Sequence, residues 1–220
     1  LKPVGQQLKR TGITADHLTL TGVVVSLGAA VAIGNGALRL GLVLLVLTSL
    51  PDLLDGAVAK ASGTASTRGA FFDSVADRFT DALLFGGVAW HLATIEPGRL
   101  AVLPMAVLGA SMLISYQRAK AESLGFEAKG GIMERAERLI ALGIGLLFNQ
   151  WLVVILWVML VLTLVTAVQR FAKVWKQATA ATPVLAARGT MRSRARSRQQ
   201  DRRVARSTTT RQVRRRSQLR

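Results

Sequence analysis

Six long apolar runs are the feature that most constrains the fold of this chain of 220 residues. A helix needs about twenty apolar residues to cross the hydrocarbon core of a bilayer. The runs lie at 18–34, 38–61, 70–93, 100–115, 139–148 and 151–168. The fourth continues as a polar helical segment to residue 122, and the fifth reaches a full span only if 134–138 extends it. We therefore predict an all-α integral membrane protein with six transmembrane helices.

The segments outside the spans predict a domain organisation and an orientation. Residues 1–12 combine apolar and basic residues, which is typical of an amphipathic helix lying on the membrane interface. The six-span domain covers 13–176. Cations are concentrated at the N-terminus, at 60–68, at 118–138 and in the tail, whereas 35–39 and 94–99 hold one Arg each. The positive-inside bias then predicts a multi-pass protein of the cell membrane with both termini on the cytoplasmic side.

Positive charge is concentrated in the C-terminal tail, 177–220. Residues 188–220 hold thirteen of the 29 Lys and Arg residues and one of the 12 acids, and so produce most of the net charge of +17. A segment of this composition is predicted to be disordered and to bind the anionic lipid of the cytoplasmic leaflet. A membrane protein whose function is to bind nucleic acid is the remote alternative. The tail has no aromatic residue for stacking on bases, which favours lipid.

Carboxylates inside the predicted spans indicate a functional site, because an ionised acid in an apolar helix is costly. Asp52 and Asp55 lie at i, i+3 in the second run, and Asp73 and Asp77 lie at i, i+4 in the third. Two adjacent antiparallel helices would bring all four together. Like charges at such a distance require a cation, and an all-oxygen ligand set favours Mg²⁺ or Mn²⁺. Asp81 is expected either to support this site or to pair with an arginine.

The segment between the two pairs is rich in Gly, Ala and Ser and carries Lys60. Small residues allow a ligand to approach the backbone closely, and a hard metal beside a lysine suits a pyrophosphate. The alternative is a tightly packed bundle whose acids line a water-filled vestibule, as in an ion pathway. A vestibule requires neither the paired carboxylates nor the glycine spacing.

The pattern Asp52-x2-Asp55-Gly56-x2-Ala59-Lys60-x8-Gly69-x3-Asp73-x3-Asp77 resembles the signature of the CDP-alcohol phosphotransferases, which are membrane enzymes of phospholipid synthesis. Every spacing agrees with that signature, and Lys60 stands where the family has Arg. Lysine keeps the charge but loses bidentate contact with phosphate.

The resemblance implies a mechanism and a set of binding residues. Asp52, Asp55, Asp73 and Asp77 would hold two divalent ions, and Asp77 would also take the proton of the attacking alcohol. CDP-diacylglycerol would be the donor, and the enzyme would form a homodimer. The residues implied for binding of the CDP-lipid are Thr14, Ala15, Asp16, His17, Gly56, Lys60, Ser66 and Gly69.

The residues after the fourth run bear on the acceptor. Arg118, Lys120, Arg135 and Arg138 are cations beside the acidic site, and cations so placed suit an acceptor that is itself a phosphate monoester. Flanking charge that pairs with nearby glutamates is the alternative. The Tyr116-x-Arg118-Ala119-Lys120 helix, the turn at Gly130 and Gly131, and the segment Glu134 to Leu139 resemble the actinobacterial phosphatidylinositol-phosphate synthases.

That second resemblance implies that the four cations bind the phosphate of inositol phosphate. Two residues depart from the pattern: Arg118 and Lys120 stand in reversed order, and Ala136 replaces a common Pro. Phosphatidylglycerophosphate synthase activity, with glycerol 3-phosphate as the acceptor, is the alternative.

Overall fold

A computed structural model describes residues 15–48, 67–95 and 98–180, and these residues are mostly helical, with no strand among them. The prediction of an all-helical protein is confirmed for this part of the chain. The described helices are α1 Ala15–Gly34, α2 Leu38–Thr48, α3 Thr67–Ile95, α4 Val102–Ser123, α5 Arg135–Leu147 and α6 Asn149–Ala180.

Each helix lies where the sequence predicts an apolar run. The fifth helix begins at Arg135, four residues before the apolar residues of the fifth run. The first turn of α6 is a 3₁₀ helix, Asn149–Trp151. Two helices, Asp16–Gly34 within α1 and Asn149–Ala180, are long and apolar enough to span a membrane.

The helices pack around one core and expose apolar side chains on their outer faces. The core takes fully buried side chains from all six helices, among them Ile33, Leu45, Phe85, Val107, Leu142 and Leu156. Outward-facing residues are also large and apolar, such as Val24, Val43 and Ile140, each more than half exposed. A soluble surface seldom presents so much apolar area, whereas a lipid-facing surface requires it.

The packing of α1 against α3 depends on small residues. A Cβ atom added at Gly87 of α3 would lie 2.6 Å from the carbonyl oxygen of Ala30 and 2.8 Å from its Cα atom, so the two backbones touch at this point. Small residues at helix contacts are typical of membrane bundles, in which close backbone approach replaces the hydrophobic effect. This contact fixes α3, the helix that carries Asp73, Asp77 and Asp81, against α1.

The chain divides into two compact units, Leu1–Phe171 and Ala172–Arg220. In the second unit the described residues are the last turns of α6, which end at Ala180. The boundary predicted after Lys176 therefore falls inside a helix. The predicted interfacial helix at 1–12 and the tail beyond residue 180 lie outside the described residues.

Candidate functional site

Three aspartates follow one face of α3 at successive spacings of four residues. Asp73 and Asp77 are partly buried, and the carboxylate of Asp81 is 5% exposed. A spacing of four residues brings each side chain one turn above the last. The face therefore carries carboxylates from the solvent-accessible part of the helix into its buried part.

Arg135, the first residue of α5, contacts two of these carboxylates. Its Nη1 atom lies 2.7 Å from Oδ1 of Asp77, and its Nε atom lies 3.5 Å from Oδ1 of Asp81. Arg78 contacts the other oxygen of Asp77 at 3.2 Å. The proposed catalytic carboxylate is thus flanked by two guanidinium groups.

Arg138 lies one turn further along α5 and is almost completely buried. Its Nη2 atom is 3.2 Å from Oδ2 of Asp81, and its Nη1 atom donates a hydrogen bond of 3.3 Å to the carbonyl oxygen of Met133. Breaking one partner of such a buried pair leaves the other charge without compensation. The alternative given by the sequence for Asp81, pairing with an arginine, is the one observed.

Arg170 of α6 is a cation of this cluster that the sequence reasoning missed. Its side chain is 3% exposed, and its Nη1 atom donates to the carbonyl oxygen of Ile114 at 3.0 Å. Its Nη2 atom donates to the carbonyl oxygen of Gly130 at 3.1 Å and lies 3.3 Å from Oε1 of Glu134. The sequence feature that could have identified Arg170 is its position close after the last apolar run, 151–168.

These residues line one polar cavity of about 210 Å³. Its walls come from α3, α4, α5, α6 and the connection before α5, and the lining residues are Asp77, Arg78, Ile114, Ser115, Arg118, Glu134, Arg135, Ala136, Glu137, Arg138 and Arg170. Five arginines face three acids, so the cavity is suited to an anion.

The two most buried arginines of the cavity each have one nitrogen that makes no hydrogen bond. The Nε atoms of Arg138 and Arg170 are buried and have no hydrogen-bond partner in the part of the chain that the structure describes. Buried donors without partners are rare in native proteins. Both atoms are inaccessible to solvent, so these two arginines favour an anion in the cavity through their charge.

The predicted acceptor cations are brought together only in part. Arg118 lines the cavity while it pairs with Glu122 at 3.0 Å. Arg135 and Arg138 also line it. Lys120 is exposed on α4 and is not among the lining residues.

The predicted CDP-lipid residues are described at the N-terminal ends of α1 and α3. Oδ2 of Asp16 accepts a hydrogen bond of 2.7 Å from Arg68, which precedes Gly69 in the first turn of α3. His17 is exposed beside Asp16, and Ala15 begins α1. The other predicted CDP-lipid residues, Thr14, Gly56, Lys60 and Ser66, lie outside the described residues.

The predicted metal ligands are described on α3 alone. Asp73 and Asp77 are one turn apart and supply oxygen ligands of the kind that Mg²⁺ and Mn²⁺ prefer. Asp52 and Asp55, the other half of the predicted set, lie outside the described residues. Within the described ranges no group of three or more metal-ligating side chains is found. The donor chemistry on α3 fits a hard divalent ion that needs further ligands from the adjoining segment.

An apolar groove of about 660 Å³ opens beside the polar cavity. It lies between α2 and α5, and its walls are formed mainly by Leu42, Leu45, Val46, Leu139, Ile140, Ile144 and Leu147. Arg135 and Ala136 line the groove as well as the cavity. The two spaces therefore meet at the first turn of α5.

Comparison with known proteins agrees with this combination of features. Over 183 residues the chain is 37% identical to the phosphatidylinositol phosphate synthase of Mycobacterium marinum. The aligned region covers 79% of this chain and 78% of the relative. It superimposes with a TM-score of 0.74 and 33% identity on the Mycobacterium tuberculosis phosphatidylinositol phosphate synthase with CDP-DAG bound, covering 79% of this chain and 92% of that one.

A second structure of the tuberculosis enzyme, in complex with manganese and citrate, gives the same TM-score of 0.74 at 33% identity and covers 79% of this chain and 88% of that one. The family model of the CDP-alcohol phosphatidyltransferases matches residues 12–182. That range contains all four aspartates of the signature and all of the arginines of the cavity. The chain therefore belongs to the CDP-alcohol phosphatidyltransferase family.

Proposed function

We propose that this protein transfers the phosphatidyl group of CDP-diacylglycerol to inositol phosphate, giving phosphatidylinositol phosphate and CMP. The observation that carries the proposal is the arginine-lined cavity that adjoins Asp77. A cavity lined by five arginines and three acids carries a net positive charge, which suits an acceptor with a phosphate group better than free inositol or serine. Relatives named phosphatidylinositol phosphate synthases at 36–37% identity support the same acceptor.

For the donor, the proposed contacts lie on the signature side of α3. Asp52, Asp55, Asp73 and Asp77 would hold two divalent ions, Mg²⁺ or Mn²⁺, which offset the negative charge of a pyrophosphate when bound. The other contacts proposed for CDP-diacylglycerol are the residues that the family resemblance implies, namely Thr14, Ala15, Asp16, His17, Gly56, Lys60, Ser66 and Gly69. The apolar groove between α2 and α5 has room for an acyl chain, and its opening at Arg135 suits a lipid whose head group lies in the cavity.

The proposed chemical step assigns to Asp77 the role of the base, because Asp77 belongs to the aspartate signature and also lines the cavity proposed for the acceptor. A hydroxyl oxygen of the acceptor forms a bond to the β-phosphorus of the donor, and the bond from that phosphorus to the bridging oxygen of CMP breaks. The carboxylate of Asp77 takes the hydroxyl proton. Arg135 contacts Asp77 and lines the acceptor cavity, so it can orient the acceptor toward this carboxylate.

The acceptor phosphate is proposed to contact Arg118, Arg135, Arg138 and Arg170. Arg170 enters this set because it is a cation that lines the cavity. Lys120, which resemblance also implied, is proposed to attract the anion at the entrance. Charge-assisted hydrogen bonds to phosphate are the strong ones, and four guanidinium groups provide several of them.

For the membrane arrangement we propose six spans, with the site and both termini on the cytoplasmic side and a homodimer as the assembly. The outward apolar faces of the helices support insertion in a bilayer. The interfacial helix at 1–12 and the basic tail would then lie at the cytoplasmic surface, where anionic lipid attracts cations.

The test is an assay of CMP release by the purified protein in detergent with CDP-diacylglycerol and Mg²⁺. The acceptors are inositol phosphate, glycerol 3-phosphate, serine and free inositol, each assayed alone. We expect release with inositol phosphate and a background rate with the others. The Asp77→Asn variant is the negative control, since it should show no release with any acceptor. Release with glycerol 3-phosphate alone would replace this function by phosphatidylglycerophosphate synthesis.

A further inference from the structure

Asp81 is buried more deeply than Asp73 and Asp77, and neither the proposed metal set nor the proton transfer uses it. One of its oxygens lies 3.2 Å from Arg138, and the other lies 3.5 Å from Arg135. Burying a carboxylate to 5% exposure is costly unless such partners compensate its charge. Asp77 and Asp81 together contact Arg78, Arg135 and Arg138, so this group of side chains carries one net positive charge.

We propose that Asp81 is a positioning residue that holds Arg135 and Arg138 in the orientation in which they bind the phosphate of the acceptor. The inference rests on the proposed function, since it concerns the acceptor cavity of that same site. It requires only that the acceptor has a phosphate monoester group.

Two groups of the protein hold the side chain of Arg138 in place. Asp81 and the carbonyl oxygen of Met133 engage its two terminal nitrogens, and together they fix the plane of the guanidinium group. The Nε atom remains without a hydrogen-bond partner in the described part of the chain. Asp81 thus helps to hold Arg138 in place in the cavity wall, where its charge favours an anion.

The side chain of Arg135 contacts two carboxylates of α3. Its Nη1 atom contacts Asp77, and its Nε atom contacts Asp81 on the opposite side. The contact with Asp81 is an ion pair and not a hydrogen bond, so Asp81 acts on Arg135 through its charge and leaves Nη1 to Asp77. Without Asp81, Arg135 would be oriented by the contact with Asp77 and no longer by a carboxylate on each side.

A purely structural role for Asp81 predicts lower stability with unchanged substrate affinities, so the two roles can be separated. The variants are Asp81→Asn, Arg138→Gln and the double variant, with Leu84→Ala as the matched control. Leu84 is fully buried one turn further along α3 and lines neither the cavity nor the groove. For each variant the KM values for donor and acceptor, kcat and the thermal midpoint are measured.

We expect Asp81→Asn to raise the acceptor KM about tenfold and to leave the donor KM within about twofold, as for loss of one charge-assisted hydrogen bond. The double variant should have an acceptor KM no higher than the worse single variant, because both changes disturb one arrangement. Leu84→Ala should lower the midpoint with both KM values unchanged. An unchanged acceptor KM in Asp81→Asn, or multiplying effects in the double variant, would overturn the proposal.

Two further measurements cover the cases in which Asp81→Asn does not fold or the unmodified protein is inactive. If Asp81→Asn does not fold, Asp81→Glu is used, and a smaller rise in acceptor KM supports the proposal whereas none contradicts it. The stabilisation of the protein by inorganic phosphate is measured without substrates, and it should be lost in the variant. That measurement tests the role of Asp81 in anion binding even if the unmodified protein releases no CMP. The absence of CMP release would refute the proposed function, and it would do so independently of the role of Asp81.

Discussion

Replacing Arg170 by Met tests the most completely buried cation of the cavity. Methionine fills a similar length without charge or hydrogen-bond donors. The substitution leaves the carbonyl oxygens of Ile114 and Gly130 without their donor, and it leaves Glu134 without its cation. Water can solvate the carboxylate of Glu134, which is 42% exposed, but the contact with the carbonyl oxygen of Ile114 is buried and would be lost.

The expected loss of stability follows from this count of contacts. Losing one buried hydrogen bond from a charged group costs about 1.5–3 kcal/mol. For a domain of this size that corresponds to a fall of roughly 3–12 °C in the thermal midpoint. The midpoint is measured in detergent by the fluorescence of the four tryptophans. We expect the same variant to raise the acceptor KM, since Arg170 also lines the cavity.

Lys176→Met is the matched control, because it removes a cation from an exposed position of the same helix. Its midpoint should stay within about 2 °C of that of the unmodified protein, since exposed charges contribute little. A midpoint of Arg170→Met in that same narrow range would refute the reasoning. It would mean that the three contacts of Arg170 are not formed in the folded protein.

Three further predictions concern other parts of the chain. Asp77→Asn keeps the shape of the side chain but removes its charge, so CMP release should fall by orders of magnitude while the elution volume in gel filtration stays the same; substantial release would exclude Asp77 as the base. Lys60→Arg should preserve or lower the KM for CDP-diacylglycerol and Lys60→Ala should raise it, and an unchanged KM in the alanine variant would make Lys60 a flanking charge. Gly131→Ala should lower the thermal midpoint by several degrees, because Gly131 has a φ of 153° and its added Cβ would collide with Thr166; Gly98→Ala meets open space and should not.

The positions of the helices could be predicted from the sequence because apolar runs are a local signal. The turn from α1 to α2 at Asn35 and Gly36, and the start of α5 at Arg135, follow from residues that are adjacent in the chain. The spacing of Asp73, Asp77 and Asp81 likewise predicts a common helical face, since four residues make about one turn.

The partners of those side chains could not be predicted, because they depend on the register between helices. Arg170 meets Gly130 across 40 residues of chain, and Arg138 meets Asp81 across 57. Nothing in the local sequence distinguishes Arg170, which is buried, from Lys173, which is exposed one turn later. The same limit explains why Lys120, two residues after Arg118, lies outside the cavity lining.

The segment from Glu134 to Arg138 shows how one local pattern produces different roles. Its two acids and two arginines predict either paired flanking charge or an anion site, and the sequence alone leaves both open. In the structure Glu134 pairs with Arg170, while Arg135 and Arg138 turn toward α3. Both arginines lie on one face of α5 because they are three residues apart, and the one further along the helix is the more buried. The glutamate therefore neutralises a different arginine from its sequence neighbours, and the cations of α5 remain directed at the carboxylates and the cavity.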